Sequence, residues 1–127
     1  MSEAIQRAMI VEDNGRFRDL VKIVLGSLGI EHVAEAKDGH EAAEVLKTFD
    51  ASLVIMDLSK EGMDGIACTR HIRNGSLGCN PTTPIVMVSG HSGEDIIQQA
   101  HEAGVDVYLT KPISIKALHA GIRKALN

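Results

Sequence analysis

Three carboxylates stand directly after short apolar runs in this sequence. Glu12 and Asp13 follow the run that ends at Val11, and Asp57 follows the run that ends at Met56. The carboxyl ends of parallel strands meet at one edge of a sheet, so neighbouring runs would bring the three carboxylates together. Close carboxylates repel one another unless one is protonated, a cationic side chain joins them, or a hard divalent ion binds. Mg²⁺ with several retained water molecules suits this cluster.

Two further polar residues stand at the ends of later apolar runs. Ser89 ends the fourth run, and Lys111 follows the fifth, within Thr110-Lys111-Pro112. Lys111 would add a positive point charge to the same edge of the sheet, and Ser89 would add a hydroxyl donor. In a site of this kind the charges of a metal ion, a carboxylate and a phosphoryl group could balance one another. This combination indicates phosphoryl chemistry.

The elements that position these residues alternate between strands and helices. Predicted strands cover Ala8 to Val11, His32 to Ala36 (the weakest candidate), Leu53 to Met56, Ile85 to Val88 and Val107 to Leu109. Between them apolar residues recur at helical spacing, most clearly from Phe17 to Leu28. Strict alternation implies right-handed crossovers and a parallel sheet. The expected fold is α/β, a doubly wound five-stranded parallel sheet in order 2-1-3-4-5 with five helices on both faces.

Local signals predict where the helices begin and end. Asp38, with Glu41 three residues on, is a capping box at the start of the second helix. The later helices are predicted over Gly65 to Arg73, Ser92 to a glycine cap at Gly104, and from about Ser114 onward. The last helix carries apolar residues at helical spacing, namely Ile115, Leu118, Ile122 and Ala125. The stretch from Asn74 to Pro84 predicts a surface loop.

Composition narrows the class of protein. A chain of 127 residues predicts one domain over 1–127, and 44% apolar with 24% charged residues excludes disorder. No apolar run is long enough to span a membrane and Met1 to Ala8 lacks a secretory signal, so we expect a cytoplasmic protein with no membrane partner. A net charge of −4 without a Lys/Arg cluster argues against direct nucleic-acid binding. Cys68 and Cys79 are expected to be reduced thiols.

From about Arg7 to Leu126 the sequence resembles the receiver domain of two-component response regulators. The resemblance rests on five ordered pieces: Glu12-Asp13, Asp57-Leu58-Ser59-Lys60-Glu61-Gly62-Met63-Asp64-Gly65, Val88-Ser89-Gly90, Tyr108, and Lys111-Pro112. It implies a flavodoxin-like, chemotaxis-regulator-like fold and a role in signal transduction or a phosphorelay. It also implies a signalling phosphoacceptor that promotes its own phosphorylation and dephosphorylation, rather than an enzyme.

The resemblance assigns the acidic residues their roles. Asp57 would take a phosphoryl group from a histidine kinase or a histidine phosphotransfer protein and form an acyl phosphate. Glu12 and Asp13 would hold Mg²⁺ together with Asp57 and the backbone carbonyl of Ser59, with Asp13 as the direct acidic ligand. A capping role alone is the competing interpretation for Asp13, and also for Asn14.

The remaining pieces imply a switch. Ser89 would hydrogen-bond the phosphoryl oxygens and Lys111 would pair with them, with the Lys111-Pro112 peptide bond in the cis form. Tyr108 would swing inward as Ser89 moves, remodelling the face formed by helix four, strand five and helix five for a downstream protein. Tyr108 as plain core filler is the alternative. His91 would overhang the acceptor site near Ser59, where the family tunes hydrolysis.

Three positions depart from the family pattern. Glu12 replaces the commoner aspartate, Lys60-Glu61 stands where Met-Pro is usual, and Gly90 replaces alanine. The altered loop allows a second hypothesis, a phosphorylation-independent receiver-like docking module. Asp57, Ser89 and Lys111 argue against it because a docking module needs none of them. The sequence is compatible both with a stand-alone regulator and with a domain of a longer protein.

Overall fold

Five strands and five helices alternate along the chain in the computed structural model, which describes residues 6–57 and 65–127. The strands are β1 (Arg7–Val11), β2 (His32–Ala36), β3 (Leu53–Asp57), β4 (Ile85–Ser89) and β5 (Val107–Thr110). The helices are α1 (Gly15–Ser27), α2 (Gly39–Leu46), α3 (Gly65–Arg73), α4 (Glu94–Ala103) and α5 (Ile115–Leu126). Ser59 and the other acceptor-loop residues of 58–64, Lys60-Glu61 included, lie outside the described ranges.

The strands form one parallel sheet in the order β2-β1-β3-β4-β5, which confirms the expected fold class. Val11 pairs with Met56, Asp57 with Val88, and Ser89 with Thr110. The strands therefore end nearly level, and the polar residues that close them share one edge of the sheet.

Two separate cores cover the two faces of the sheet. Side chains alternate between faces along each strand, so Met9 and Val11 join one core while Ala8 and Ile10 join the other. Residues of α2, α3 and α4 complete the first core, and residues of α1 and α5 complete the second. Burial on both sides explains why β1, β3 and β4 appear in the sequence as unbroken apolar runs rather than as alternating patterns, whereas the edge strand β2 is only partly buried.

Helix ends agree with the sequence signals at some positions and differ at others. Asp38 Oδ1 accepts the backbone N–H of Glu41 at 2.8 Å, as predicted, but the returning carboxylate of Glu41 accepts from Lys37 rather than from Asp38. Gly104 adopts the left-handed conformation at the end of α4, with φ of 116°. The predicted start of α4 at Ser92 is wrong. The backbone stays extended through Gly93, and α4 begins at Glu94 with no side-chain cap.

The expected buried stripe of α5 begins one turn later than predicted. Leu118 and Ile122 are fully buried, but Ile115 is 56% exposed. Ile115 is the first residue of the helix, and packing against the sheet begins at Leu118. No helix within the described residues is both long enough and apolar enough to cross a membrane.

Candidate functional site

Two acidic side chains are buried at the carboxyl edge of the sheet. Glu12 follows β1, and its backbone N–H donates to Ala36 O at 2.8 Å, which continues the pairing with β2 by one residue. Asp57 is the last residue of β3. Glu12 is only 2% exposed and Asp57 only 3%, whereas Asp13 is exposed. Buried carboxylates are costly unless a charge or hydrogen bonds compensate them, and a cation at this edge is one such compensation.

Lys111 supplies that cation. Its Nζ lies 2.7 Å from Asp57 Oδ2 and 3.5 Å from Glu12 Oε1. The backbone aims the side chain, because the N–H of Lys111 donates to Ser89 O at 2.7 Å and the Lys111–Pro112 bond is cis, as the resemblance implied. Partial burial opposes the charged ammonium, but the hydrogen bond to Asp57 and the charges of Asp57 and Glu12 outweigh it and raise the pKa of Lys111.

The donor set of this edge fits Mg²⁺. One ammonium faces two buried carboxylates, and Asp13 adds a third acidic side chain next in sequence. Outside 1–5 and 58–64, no three carboxylate, histidine or cysteine side chains are close enough to hold a metal ion together. Mg²⁺ commonly binds through one or two carboxylates with waters and substrate phosphate, so hard oxygen donors and an excess of negative charge are sufficient.

Asn14 takes the capping role that was left open for the residues after β1. Its Oδ1 accepts the backbone N–H groups of Arg16 and Phe17 at 3.0 and 3.2 Å, and it is the N-cap of α1. The side chain of Asp13 is therefore not required for capping.

Ser89 and Tyr108 meet at the backbone of His91. Ser89 is fully buried, and its Oγ accepts the N–H of His91 at 3.0 Å. Half-buried Tyr108 packs against the core of α2, α3 and α4, and its hydroxyl donates to His91 O at 2.6 Å. His91 thus connects Ser89 to Tyr108 through two hydrogen bonds. The hydroxyl of a buried tyrosine usually has a hydrogen-bond partner, so this contact is compatible both with a switch and with a core filler.

Two neighbours of the site carry no signal at the level of sequence. Arg18 Nη1 donates to Glu12 O at 2.7 Å, and its guanidinium also pairs with Glu35. The ring centroid of Phe17 lies 4.8 Å from Lys111 Nζ. Helical spacing predicted Phe17 only as part of an apolar stripe, because spacing along α1 carries no information about a residue 94 positions further along the chain. The scarcity of aromatic residues was the one available hint.

Comparison with known proteins agrees with this geometry. The family described as "Response regulator receiver domain" matches residues 8–123, so the chain belongs to the response regulator receiver domains of two-component signalling. The chain is 31% identical to the chemotaxis protein CheY of Bacillus subtilis, over 95% of this chain and 98% of that protein. It is 34% identical to the transcriptional regulatory protein PdtaR of Mycobacterium tuberculosis over 96% of this chain, but spans only 57% of PdtaR.

Solved structures resemble the fold over nearly its full length. A response regulator from Thermotoga maritima matches with a TM-score of 0.83 and 25% identity, covering 97% of this chain and 98% of that one. The chemotaxis protein CheY4 of Vibrio cholerae matches with a TM-score of 0.85 and 24% identity, over 97% of this chain and all of that one. At this identity the second likeness supports the fold alone.

Proposed function

We propose that Asp57 accepts a phosphoryl group from a histidine kinase or a histidine phosphotransfer protein. The observation that carries the proposal is the contact of 2.7 Å between Lys111 Nζ and the buried carboxylate of Asp57 at the strand-end edge. The ammonium of Lys111 beside this carboxylate favours its ionised form, which is the state a nucleophile needs.

Phosphoryl transfer from a phosphohistidine to Asp57 needs no further reactant. An oxygen of Asp57 attacks phosphorus, the P–N bond of the donor phosphohistidine breaks, and its electron pair stays with the imidazole nitrogen. The product is an acyl phosphate on Asp57. In hydrolysis water attacks phosphorus, the electron pair of the broken P–O bond returns to the carboxylate, and inorganic phosphate carries away the protons of water. The protein thus promotes its own phosphorylation and dephosphorylation and is a signalling phosphoacceptor rather than an enzyme acting on a separate substrate.

Lys111 and Ser89 bind the transferred group. The ammonium of Lys111 exchanges its carboxylate partner for phosphoryl oxygens, which carry more negative charge. Ser89 Oγ accepts from His91, and a hydroxyl that accepts one hydrogen bond still has its own O–H to donate to a phosphoryl oxygen.

Glu12, Asp13 and Asp57, with the backbone carbonyl of Ser59, are the residues that would hold Mg²⁺. When bound, the ion neutralises negative charge on the phosphoryl group during in-line transfer. Glu12 has one more methylene than the aspartate usual at this position, and its carboxylate lies at the edge of the site beside Lys111.

The output of the switch is a protein surface. The Ser89 hydroxyl that would donate to the phosphoryl group also accepts the backbone N–H of His91. The hydroxyl of Tyr108 donates to the backbone carbonyl of the same residue. A shift there alters the face of α4, β5 and α5, which we propose as the binding surface for a downstream protein. Neither nucleic acid nor membrane is a direct partner in this proposal. We propose that the chain acts as one receiver domain over 1–127 in the cytoplasm.

Intact mass measurement tests the acceptor assignment. Wild-type protein, Asp57→Asn and the control Asp50→Asn, whose residue is exposed and lies before β3, are incubated with acetyl phosphate with and without Mg²⁺. We expect a Mg²⁺-dependent gain of one phosphoryl mass in wild type and in Asp50→Asn, and none in Asp57→Asn. No gain in wild type with any donor would favour the phosphorylation-independent docking module.

A further inference from the structure

The ammonium of Lys111 has a neighbour outside the proposed chemistry. The ring centroid of half-buried Phe17 lies 4.8 Å from Nζ, within the range of about 6 Å over which an aromatic face attracts a cation. Asn14 Oδ1 caps the backbone N–H of Phe17 at 3.2 Å, so the ring is attached to a fixed first turn of α1. Phe17 and Lys111 are far apart in the sequence but line one cavity of about 480 Å³.

Lys111 needs such a neighbour more than an arginine would. A lysine has a flexible four-carbon stem, and its ammonium is a compact point charge without a fixed fork of donors. The side chain is 31% exposed, and its contact of 3.5 Å with Glu12 Oε1 is at the limit of a hydrogen bond. The hydrogen bond to Asp57 is therefore its one short polar contact among the described residues.

That short contact is also the one the proposed function gives up. When Asp57 carries a phosphoryl group, the ammonium leaves the carboxylate oxygen and pairs with phosphoryl oxygens instead. A hydrogen bond at 2.7 Å does not survive such a shift. Attraction of a cation to an aromatic face extends to about 6 Å from the ring centroid, so from 4.8 Å the ammonium can shift by about 1 Å and stay within that range while it changes partner.

We propose that Phe17 is a positioning residue for Lys111, holding its ammonium at the site by cation–π attraction while the ammonium moves from Asp57 to the phosphoryl group. The inference rests on the proposed function, since it concerns the step in which Lys111 changes partner. Phe17 touches no reacting atom. It acts by limiting the positions that the flexible ammonium samples.

The structure offers a matched control for the loss of a ring. Phe49 is also half-buried and also faces a cation, with Arg7 Cζ 4.9 Å from its ring centroid. It lies after α2 and before β3, at the amino edge of the sheet, whereas the site is at the carboxyl edge. Phe49→Leu therefore removes a ring and a cation contact of the same kind away from Asp57.

The first measurement is the initial rate of phosphoryl uptake from acetyl phosphate with Mg²⁺, followed by intact mass. We expect Phe17→Leu to slow uptake by about three- to tenfold, in line with the size of a partly buried cation–π contact. Phe17→Tyr keeps the aromatic face and should remain within about twofold of wild type. Phe49→Leu should match wild type. Equal rates in Phe17→Leu and wild type, equal slowing in both Phe17 variants, or equal slowing in Phe49→Leu would each overturn the positioning role.

The second measurement reports the contact without any phosphoryl transfer. An aromatic face over a lysine shifts the Hε protons upfield in proton–carbon NMR spectra, so the Lys111 Hε signal should move to its ordinary position in Phe17→Leu and stay shifted in Phe17→Tyr. A signal that is the same in wild type and Phe17→Leu overturns the contact. If wild type takes up no phosphoryl group at all, the proposed function fails. If wild type takes up the group but the Phe17 variants do not behave as expected, only the positioning role fails.

Discussion

A basic side chain stands at each edge of the sheet, and the two are held in opposite ways. Among the described residues, the ammonium of Lys111 at the carboxyl edge has one short polar contact, 2.7 Å to Asp57. Arg73, the last residue of α3, lies at the amino edge and makes five hydrogen bonds, the full set that a guanidinium can donate. The acceptors are Pro81 O, Thr83 O, Gly104 O (twice) and Asp106 Oδ2, at 2.7–3.0 Å.

The difference separates a structural cation from an exchangeable one. Arg73 ties the loop before β4 to the end of α4, and Asp106 Oδ2 also accepts the N–H of Ile85, the first residue of β4. Four of the five bonds end on backbone carbonyls, so loss of the guanidinium removes a hydrogen-bond partner from each of Pro81 O, Thr83 O and Gly104 O. In the proposed function, Lys111 leaves Asp57 because phosphoryl oxygens replace the carboxylate. We expect substitutions at the amino edge to affect stability, and substitutions at the carboxyl edge to affect chemistry.

Replacement of Arg73 gives the largest expected loss of stability. Arg73→Met keeps the aliphatic length but removes all five donors, so the free energy of unfolding should fall by about 2–4 kcal/mol. Urea unfolding measures the loss, with exposed Arg123→Met in α5 as the control near wild type. The folded variant should still take up a phosphoryl group. A variant that folds but takes up none would contradict the assignment of stability to the amino edge and chemistry to the carboxyl edge.

Gly104→Ala measures how rigidly the guanidinium is held. The new Cβ would lie 2.6 Å from Arg73 Cγ and 2.7 Å from Nε, in a backbone with φ of 116°. Gly78→Ala is the matched control, because φ is 79° there and nothing lies within 4 Å of the new Cβ. We expect a loss of about 1 kcal/mol for Gly78→Ala from backbone strain alone, and about 2–3 kcal/mol for Gly104→Ala. Equal losses in thermal unfolding would mean that Arg73 moves aside easily.

Lys111→Met sharpens the comparison from the other edge. It leaves the carboxylates of Asp57 and Glu12 without the ammonium, but Lys111 is partly exposed and water can replace it, so the free energy of unfolding should fall by only about 1–2 kcal/mol. The rate of phosphoryl uptake should fall by tenfold or more. A stability loss that matches Arg73→Met together with an unchanged rate of uptake would reverse the assignment of the two edges.

Tyr108→Phe has the smallest expected effect on stability. It removes one hydrogen bond, from the hydroxyl to His91 O, which is worth about 0.5–1.5 kcal/mol. Uptake by Asp57 should be unchanged, because Tyr108 contacts the loop after β4 and not the carboxylate. Binding assays with a downstream partner should show a weaker response to phosphorylation. A large fall in the rate of uptake would place Tyr108 in the chemistry instead.

Sequence reasoning predicted the parts of this molecule that follow from burial and strand ends. The strands β1, β3 and β4 were found because both of their faces are covered, whereas β2, an edge strand that is only partly buried, was the weakest candidate. Ser89 and Lys111 were singled out because polar residues close buried runs. It failed where geometry across the chain decides. Ile115 has helical spacing but no sheet to cover it. The five bonds of Arg73 and the ring beside Lys111 join residues that no local pattern relates.

His91, which lies between Ser89 and Tyr108 in space, contacts both without using its side chain. Ser89 Oγ accepts from the N–H of His91 and Tyr108 donates to its carbonyl, so both contacts use the main chain alone. Any amino acid except proline, which lacks the N–H, can therefore stand at position 91 and keep both hydrogen bonds. Replacement of the imidazole leaves the connection between Ser89 and Tyr108 in place.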